Sequence, residues 1–310
     1  MINFKTDLAD ERRDIYRKAN NIANEIPGIE TSEKEENGIK TTKVKILNDE
    51  GANAIGKPIG NYITIDIKNL RIAQKDVIEN AAQVLNGELK ELYNSHINNG
   101  EDILVVGLGN IQVTPDALGP RVINDIDVTR HLLNYAPQYL EPGTRCVSAI
   151  SPGVLGTTGI ETQEILQGIV ERIKPKLIIV IDSLASKSME RISSTIQIAD
   201  TGIVPGAGVG NKRRELTVNT LGVPVIALGV PTCVDAATLT SDCLDIFIEK
   251  LQEEAKSNDY LNNLKNEDKY TMIKEALLPK DFNFIVTPKE IDDLIENMSS
   301  VIARGINLSL

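Results

Sequence analysis

The sequence predicts an α/β protein: a doubly wound, mostly parallel central sheet flanked by helices, with an additional smaller β-rich patch. Three observations predict it. Ile103–Gly107 and Leu177–Ile181 are short apolar runs closed by a glycine and by an aspartate, the pattern of strands buried on both faces. Val223–Val230 is a third such run. Amphipathic stretches at helical spacing alternate with them, which is the order that builds parallel crossovers. At 310 residues the chain has room for one large core or two modest domains, and it carries no internal repeat or low-complexity tract.

The elements follow in order. Thr6 to Ala23 spaces Leu8, Ile15, Ala19 and Ile22 as a helix does, with acidic residues at its start and Pro27-Gly28 at its end. Between 29 and 70 the β-branched stretches Lys40–Ile46 and Tyr62–Ile67, joined by the glycine-rich Gly51–Gly60, predict an antiparallel patch separate from the main sheet. Ile72 to Ile97 carries Val77, Ala81, Val84, Leu85, Leu89 and Leu92 on one stripe, a long helix ended by Asn98-Asn-Gly100. After the strand Ile103–Gly107, Gly107 and Gly109 allow a tight turn, Asp116 lies in the loop, and Pro120 opens a helix to about Tyr135. Cys146–Ile150 is the next strand, leading into the small-residue loop Ser151–Gly159 and a helix over Glu161–Ile173. The strand Leu177–Ile181 ends at Asp182; Ile192–Ile198 is another strand, and Ile203–Gly210 a glycine-rich loop. Pro231–Asp235 follows the third apolar run, before a helix through about Leu251, and Ser257–Glu267 reads as a polar, exposed excursion. A final helix is expected with Thr287 as cap, Pro288 at its first position and Glu290 completing a capping box. Its buried stripe is Ile291, Leu294, Ile295, Met298, Val301 and Ile302.

Composition narrows the function. Hydrophobic residues make up 41% and charged residues 25%, as in ordinary globular proteins; aromatics are 4% and tryptophan is absent, so the core is aliphatic. A net charge of −11 speaks against nucleic-acid binding, because no cluster of Lys and Arg could neutralise a phosphate track. The three cysteines, without a CxxC, read as reduced buried thiols. With no signal-peptide core and no apolar run long enough for a bilayer, the expectation is a cytoplasmic protein with no membrane partner.

The chemistry is reached by elimination. The chain holds two histidines, His96 and His131, both in settings where a structural or surface histidine is the default. There is no HExxH and no histidine–cysteine cluster for zinc, and no G-x-S-x-G elbow for a serine nucleophile. Gly107-Leu-Gly109 lacks the third glycine of a dinucleotide loop, and Gly206–Gly210 is not a GxxxxGK[ST] phosphate loop. Asp116 and Asp182 are left. An aspartate after a strand often caps the next helix. Both, however, fall just past the carboxyl ends of buried strands, where ligands gather in such sheets. Two close carboxylates cannot both ionise cheaply. One keeps a proton while the other takes one from water, a division of labour suited to peptide hydrolysis, and the pair titrates as a unit.

Several longer motifs resemble the spore germination protease family. They are Asn110-Ile-Gln-Val-Thr-Pro-Asp-Ala-Leu-Gly-Pro120, Ile181-Asp-Ser-Leu-Ala185, Ile196-Gln-Ile-Ala-Asp-Thr-Gly202, Gly208-Val-Gly-Asn-Lys-Arg213 and Val225-Ile-Ala-Leu-Gly-Val-Pro-Thr232. Lys5–Ala9 and Val286–Asp292 match as well, so the resemblance spans essentially the whole chain. It implies an endopeptidase of the forespore or spore core that degrades small acid-soluble spore proteins during germination. It also implies a homotetramer made as an inactive zymogen, with Asp116 and Asp182 as its catalytic aspartates and no cofactor. A fold similar to hydrogenase maturation peptidases is implied too. Those bind nickel through acidic groups and a histidine, and no histidine follows the strand ending near Gly229, so no metal is expected.

Family substrates are cut after Glu, before an apolar residue and then Ala. Asp7-Leu8-Ala9 resembles that target, which implies self-cleavage between Asp7 and Leu8. Residues 1–7 are then a propeptide and 8–310 a single α/β peptidase domain with the β-rich insertion around 29–70; a chain carrying Met1 onward is expected to be the unprocessed form. Ser151–Gly159 and Gly206–Lys212 are candidate substrate contacts. Two other readings stay open: a metal-dependent maturation-type peptidase, and a nucleoside- or phosphate-binding protein on a similar sheet.

Overall fold

The computed structural model describes residues 6–67, 70, 75–94, 96–98, 100–207, 213–241, 243, 244, 247 and 284–310. Its strands are β1 (Ile29–Glu36), β2 (Ile39–Ile46), β3 (Gly60–Ile67), β4 (Ile103–Gly107), β5 (Val147–Ile150), β6 (Leu177–Ser186), β7 (Thr195–Ala199), β8 (Val225–Asp235) and β9 (Ile285–Val286). The helices are α1 (Ala9–Ala19), α2 (Asp49–Ile55), α3 (Lys75–Tyr93), α4 (Leu118–Asn124), α5 (Arg130–Tyr135), α6 (Leu155–Thr158), α7 (Thr162–Ile173), α8 (Val218–Leu221) and α9 (Ile291–Ser309).

One sheet runs in the order β1-β2-β3-β7-β8-β6-β4-β5, with β9 added to β8. Its centre, β8-β6-β4-β5, is parallel, as the three apolar runs predict. The crossovers explain why these runs are apolar on both faces. On one face Ile103, Val105, Leu177, Ile179, Ile226 and Leu228 join a core with residues of α3, α4 and α9. On the other, Leu104, Val106, Ile178, Val180 and Val225 pack on α7 and α8. The stripe expected for α9 is buried in full.

Several local readings are corrected. The antiparallel unit β1–β3 is not separate: β3 pairs with β7 through Tyr62–Ala199 to Asp66–Thr195 and so extends the main sheet. Its far face is covered by α1 and α2, whose Ala9, Ala54 and Ile55 share a core with Val44, Ile46 and Tyr62. Gly51–Gly60 is not merely a loop. Asn48 accepts from the Gly51 N–H to start α2, and Gly56, at φ 65°, ends it. The helix expected from Pro120 to Tyr135 is two helices, because the Asn307 side chain takes the Asp125 carbonyl and the Asp127 N–H that would have continued it. The Ser151–Gly159 loop contains α6, and β7 begins at Thr195 rather than Ile192.

The strands β6 and β8 continue past their apolar runs because they pair with each other as far as Ser186 and Val234, across an irregularity at Leu184/Ala185. Asp182 therefore lies within a strand, and Pro231–Asp235 belongs to β8. Thr287 does not cap the last helix: its hydroxyl donates to the Thr232 carbonyl at 2.9 Å, and α9 starts at Ile291. The thiols are free, but only Cys233 is buried; Cys146 is half-buried and Cys243 exposed. The helix expected through Leu251, the excursion Ser257–Glu267 and much of Gly206–Lys212 lie wholly or partly outside the described residues. Among the described residues no helix is long and apolar enough to cross a membrane.

Candidate active site

The parallel strands leave one crevice. β4 passes to β5 on one side and β6 leads towards β8 on the other, so the loops leaving β4 and β6 diverge, and a cleft opens where the order of winding reverses. The two aspartates reach it differently. After β4 the chain turns through Gly109, at φ 114°, where a Cβ would lie 2.0 Å from the Asp116 carbonyl oxygen; only glycine fits. That turn folds a 3₁₀ segment, Thr114–Asp116, back over the strand end. Asp116 Oδ2 accepts from the Asn110 N–H at 2.9 Å, which orients its carboxylate. Asp182 is placed by strand alternation: it follows Ile178 and Val180 on the face of β6 that packs on α7 and α8, one step beyond the core.

Asp116 and Asp182 line one cavity of about 420 Å³. Its wall also carries Asp7, Gly153–Gly156 from the Ser151–Gly159 loop, Pro205-Gly206, and the cations Arg213 and Arg214. A second cavity of about 230 Å³ adjoins it; Asp7, Asp182, Ser183, Leu184 and Gly206 face both. Asp182 is 5% exposed. Burial pushes its pKa well above the ordinary carboxylate range, the charges of Asp116 and Asp7 add to this, and the Ser183 N–H works in the opposite direction. Asp116 is less enclosed. Burial raises its pKa too, against the Asn110 N–H. In the second cavity the Lys57 ammonium, desolvated and beside Arg12, falls to about 8.

The expected cleavage point lies here as well. The Asp7 N–H donates to the Ala185 carbonyl at 3.0 Å and its Oδ2 accepts from the Ala185 N–H at 3.1 Å, so this segment is held along β6 three residues past Asp182. Leu8 is fully buried. His96 and His131 are exposed and line neither cavity. Among the described residues no group of three or more His, Cys, Asp or Glu side chains is spaced to hold a metal ion. One residue that sequence reasoning did not single out is Gln197, a polar side chain in the apolar strand β7, where it is 6% exposed. The signal was its position between Ile196 and Ile198, on the face that ought to be either core or site.

Comparison with known proteins identifies the family. The family model described as germination protease, a peptidase family, matches residues 6–263 and 260–310. The germination protease of Caldanaerobacter subterraneus subsp. tengcongensis is 50% identical over 100% of this chain and 95% of its own length. That of Clostridium perfringens is 48% identical over 100% and 96%, and that of Priestia megaterium 42% over 99% and 94%. Among solved structures, a nickel–iron hydrogenase maturation protease from Thermococcus kodakarensis covers 47% of this chain and 80% of its own at 18% identity and a TM-score of 0.29. The length and identity of the sequence matches decide the question: this chain belongs to the germination protease family and is a peptidase.

Proposed function

We propose that the chain initiates the degradation of small acid-soluble spore proteins during germination, using Asp116 and Asp182 as a hydrolytic pair. In this reading it is made as a zymogen, cleaves itself between Asp7 and Leu8 to release residues 1–7, and works as a homotetramer in the spore core. It uses no cofactor and makes no direct contact with nucleic acid or membrane. The observation that supports it most is that two aspartates from separate segments share one cavity whose wall includes Asp7.

The electrostatics suit this chemistry. Asp182, the more buried and pressed by two other carboxylates, holds the proton of the pair; Asp116, half-buried and steadied by Asn110, is the base. Asp116 takes a proton from water as the water oxygen bonds to the carbonyl carbon. Asp182 delivers its proton to the departing amide nitrogen, and the C–N bond breaks to leave a carboxyl and an amine. The pair ends with one proton, as it began, and the next turnover needs only its transfer back to Asp182.

The test is incubation of the full chain with an acid-soluble spore protein and mass mapping of new termini. Expected are cuts after an acidic residue followed by an apolar one, a new N-terminus at Leu8, and loss of both in Asp116→Asn and Asp182→Asn. Wild-type rates in either variant would overturn the pair, and cuts elsewhere would overturn the specificity. Light scattering of the same sample reads the oligomeric state.

A further inference from the structure

We propose that Gln197 is a catalytic residue of this site: its side-chain amide binds the carbonyl of the bond to be cut. The inference rests on the reading of Asp7–Leu8 as that bond. Gln197 Nε2 donates to the Asp7 carbonyl at 3.1 Å, and Gln197 Oε1 accepts from the Ala9 N–H at 2.6 Å. One planar amide thus spans Leu8, gripping the carbonyl of the Asp7–Leu8 peptide and the N–H of the Leu8–Ala9 peptide. The orientation of the amide follows from its partners. A backbone N–H only donates and a carbonyl only accepts, so the reverse orientation would set oxygen against oxygen and donor against donor.

The strand register explains how a residue of β7 reaches a site on β6. Asp182 pairs with Gly229 of β8, and Gly229 pairs with Gln197, so the three form one row across the sheet. Their side chains share the face on which Val180 and Val225 meet α7 and α8. Gly229 presents no side chain, and the Leu184 side chain packs in the space above it, so Asp182 and Gln197 flank a shallow stretch of strand covered by Leu184. The segment at Asp7 bridges the two strands, held to β6 by the two Asp7–Ala185 hydrogen bonds and to β7 by Gln197.

As water adds to the carbonyl, its oxygen takes up negative charge. A fixed N–H donor aimed at that oxygen in a buried site lowers the barrier, and losing one such donor typically lowers kcat by about 10²–10³-fold. Ala9 lies on the mature side of the cut and begins α1, so its N–H can keep Oε1 engaged after the leader departs. Nε2 then points at the space vacated by the Asp7 carbonyl, where the carbonyl of a substrate protein would lie.

The test uses Gln197→Met, which fills similar volume without a donor, and Gln197→Glu, which keeps the acceptor for Ala9. Asp182→Asn serves as the control. Self-processing is followed by mass as the Leu8 terminus appears, and kcat and KM are measured on an acid-soluble spore protein with the processed variants. Groups sharing the cavity with Gln197 are Asp7, Arg12, Lys57, Tyr62, Asp182 and Glu215, so rates are taken from pH 5.5 to 8.5 as ratios to wild type. Gln197→Met is expected to process about 10²-fold more slowly and to lose kcat similarly, with KM within about threefold. Gln197→Glu is expected to lose as much at pH 8.5 and to regain part of it at pH 5.5, where a protonated carboxyl can donate. Wild-type kcat at pH 8.5 in whichever variant stays folded by circular dichroism, with Asp182→Asn inactive, overturns the role of Gln197 alone. Full activity in Asp182→Asn overturns instead the reading on which it rests.

Discussion

Asp182 is expected to weaken the fold in proportion to how well it serves the site, and this can be measured. The residue is 5% exposed in a central strand, and burial, ahead of the Asp116 and Asp7 charges, raises its pKa well above the ordinary range. In the unfolded chain an aspartate titrates near ~3.9. The folded state therefore binds this proton more tightly than the unfolded one. The resulting stability is fully present below the unfolded pKa and is lost as pH rises through the raised, folded value. Each tenfold difference in proton affinity is worth about 1.4 kcal/mol. Asparagine keeps an oxygen to accept from the Ser183 N–H and never ionises. To keep self-cleavage out of the comparison, Asp116→Asn is set against Asp116→Asn/Asp182→Asn, so that burial, the largest cause, and Asp7 carry the effect. The two should be nearly equal in stability at pH 4 and diverge as pH rises, the double variant gaining on the order of 2 kcal/mol by pH 8 from removal of a buried, uncompensated charge. Urea unfolding followed by circular dichroism at pH 4, 6 and 8 reads this directly. A double variant that gains nothing between pH 4 and 8, or that is the less stable at pH 8, would refute the argument from burial.

Three further outcomes follow from the packing. Gly107→Ala would put a Cβ 2.2 Å from the Gly119 carbonyl oxygen, a backbone atom with no rotamer to change, so thermal melting should show a loss of about 3 kcal/mol or more; a loss under 1 kcal/mol would mean that α4 can slide away from β4. Glu88, 1% exposed, receives Lys34 and Lys43 at 2.8 Å each, tying β1 and β2 to α3. Replacing both lysines with Met strands the buried carboxylate and should lower unfolding free energy by about 3 kcal/mol, whereas Glu88→Gln, which frees the lysines to reach water, should stay within about 1.5 kcal/mol. Reversed magnitudes would refute the asymmetry. A thiol-titrating reagent at pH 8 should find one fast thiol per chain, removed by Cys243→Ser, since Cys146 and Cys233 are both pushed up to about 11 by burial; a second fast equivalent in the folded state would count against that burial.

Local sequence decides structure where one physical requirement dominates. An aliphatic run buried on both faces has no alternative to a central strand, and the stripe Ile291–Ile302 has no alternative to a helix packed along one side. Local sequence does not decide where a residue has two competing partners. Thr287 could cap a helix or bond to Thr232, and a distant carbonyl won; the Asp125–Asp127 stretch could continue a helix or pair with Asn307, and the distant side chain won. The β-branched stretches between 29 and 70 are legible as strands, but whether they stand alone or join the main sheet depends on an edge, β7, that lies more than a hundred residues further on.

The same division runs through the site. The sequence by itself determined the class of fold, the family, and the identity of two aspartates near strand ends, because apolar periodicity, turn glycines and motif order are properties of neighbouring residues. Only the tertiary structure decided that Asp116 and Asp182 share a cavity, that Asp7 lies in its wall, and that Gln197, 190 residues away from Asp7, grips the following peptide. These are matters of which strands lie side by side. That is settled by the burial of two apolar faces across the whole sheet, and no short stretch of chain contains it.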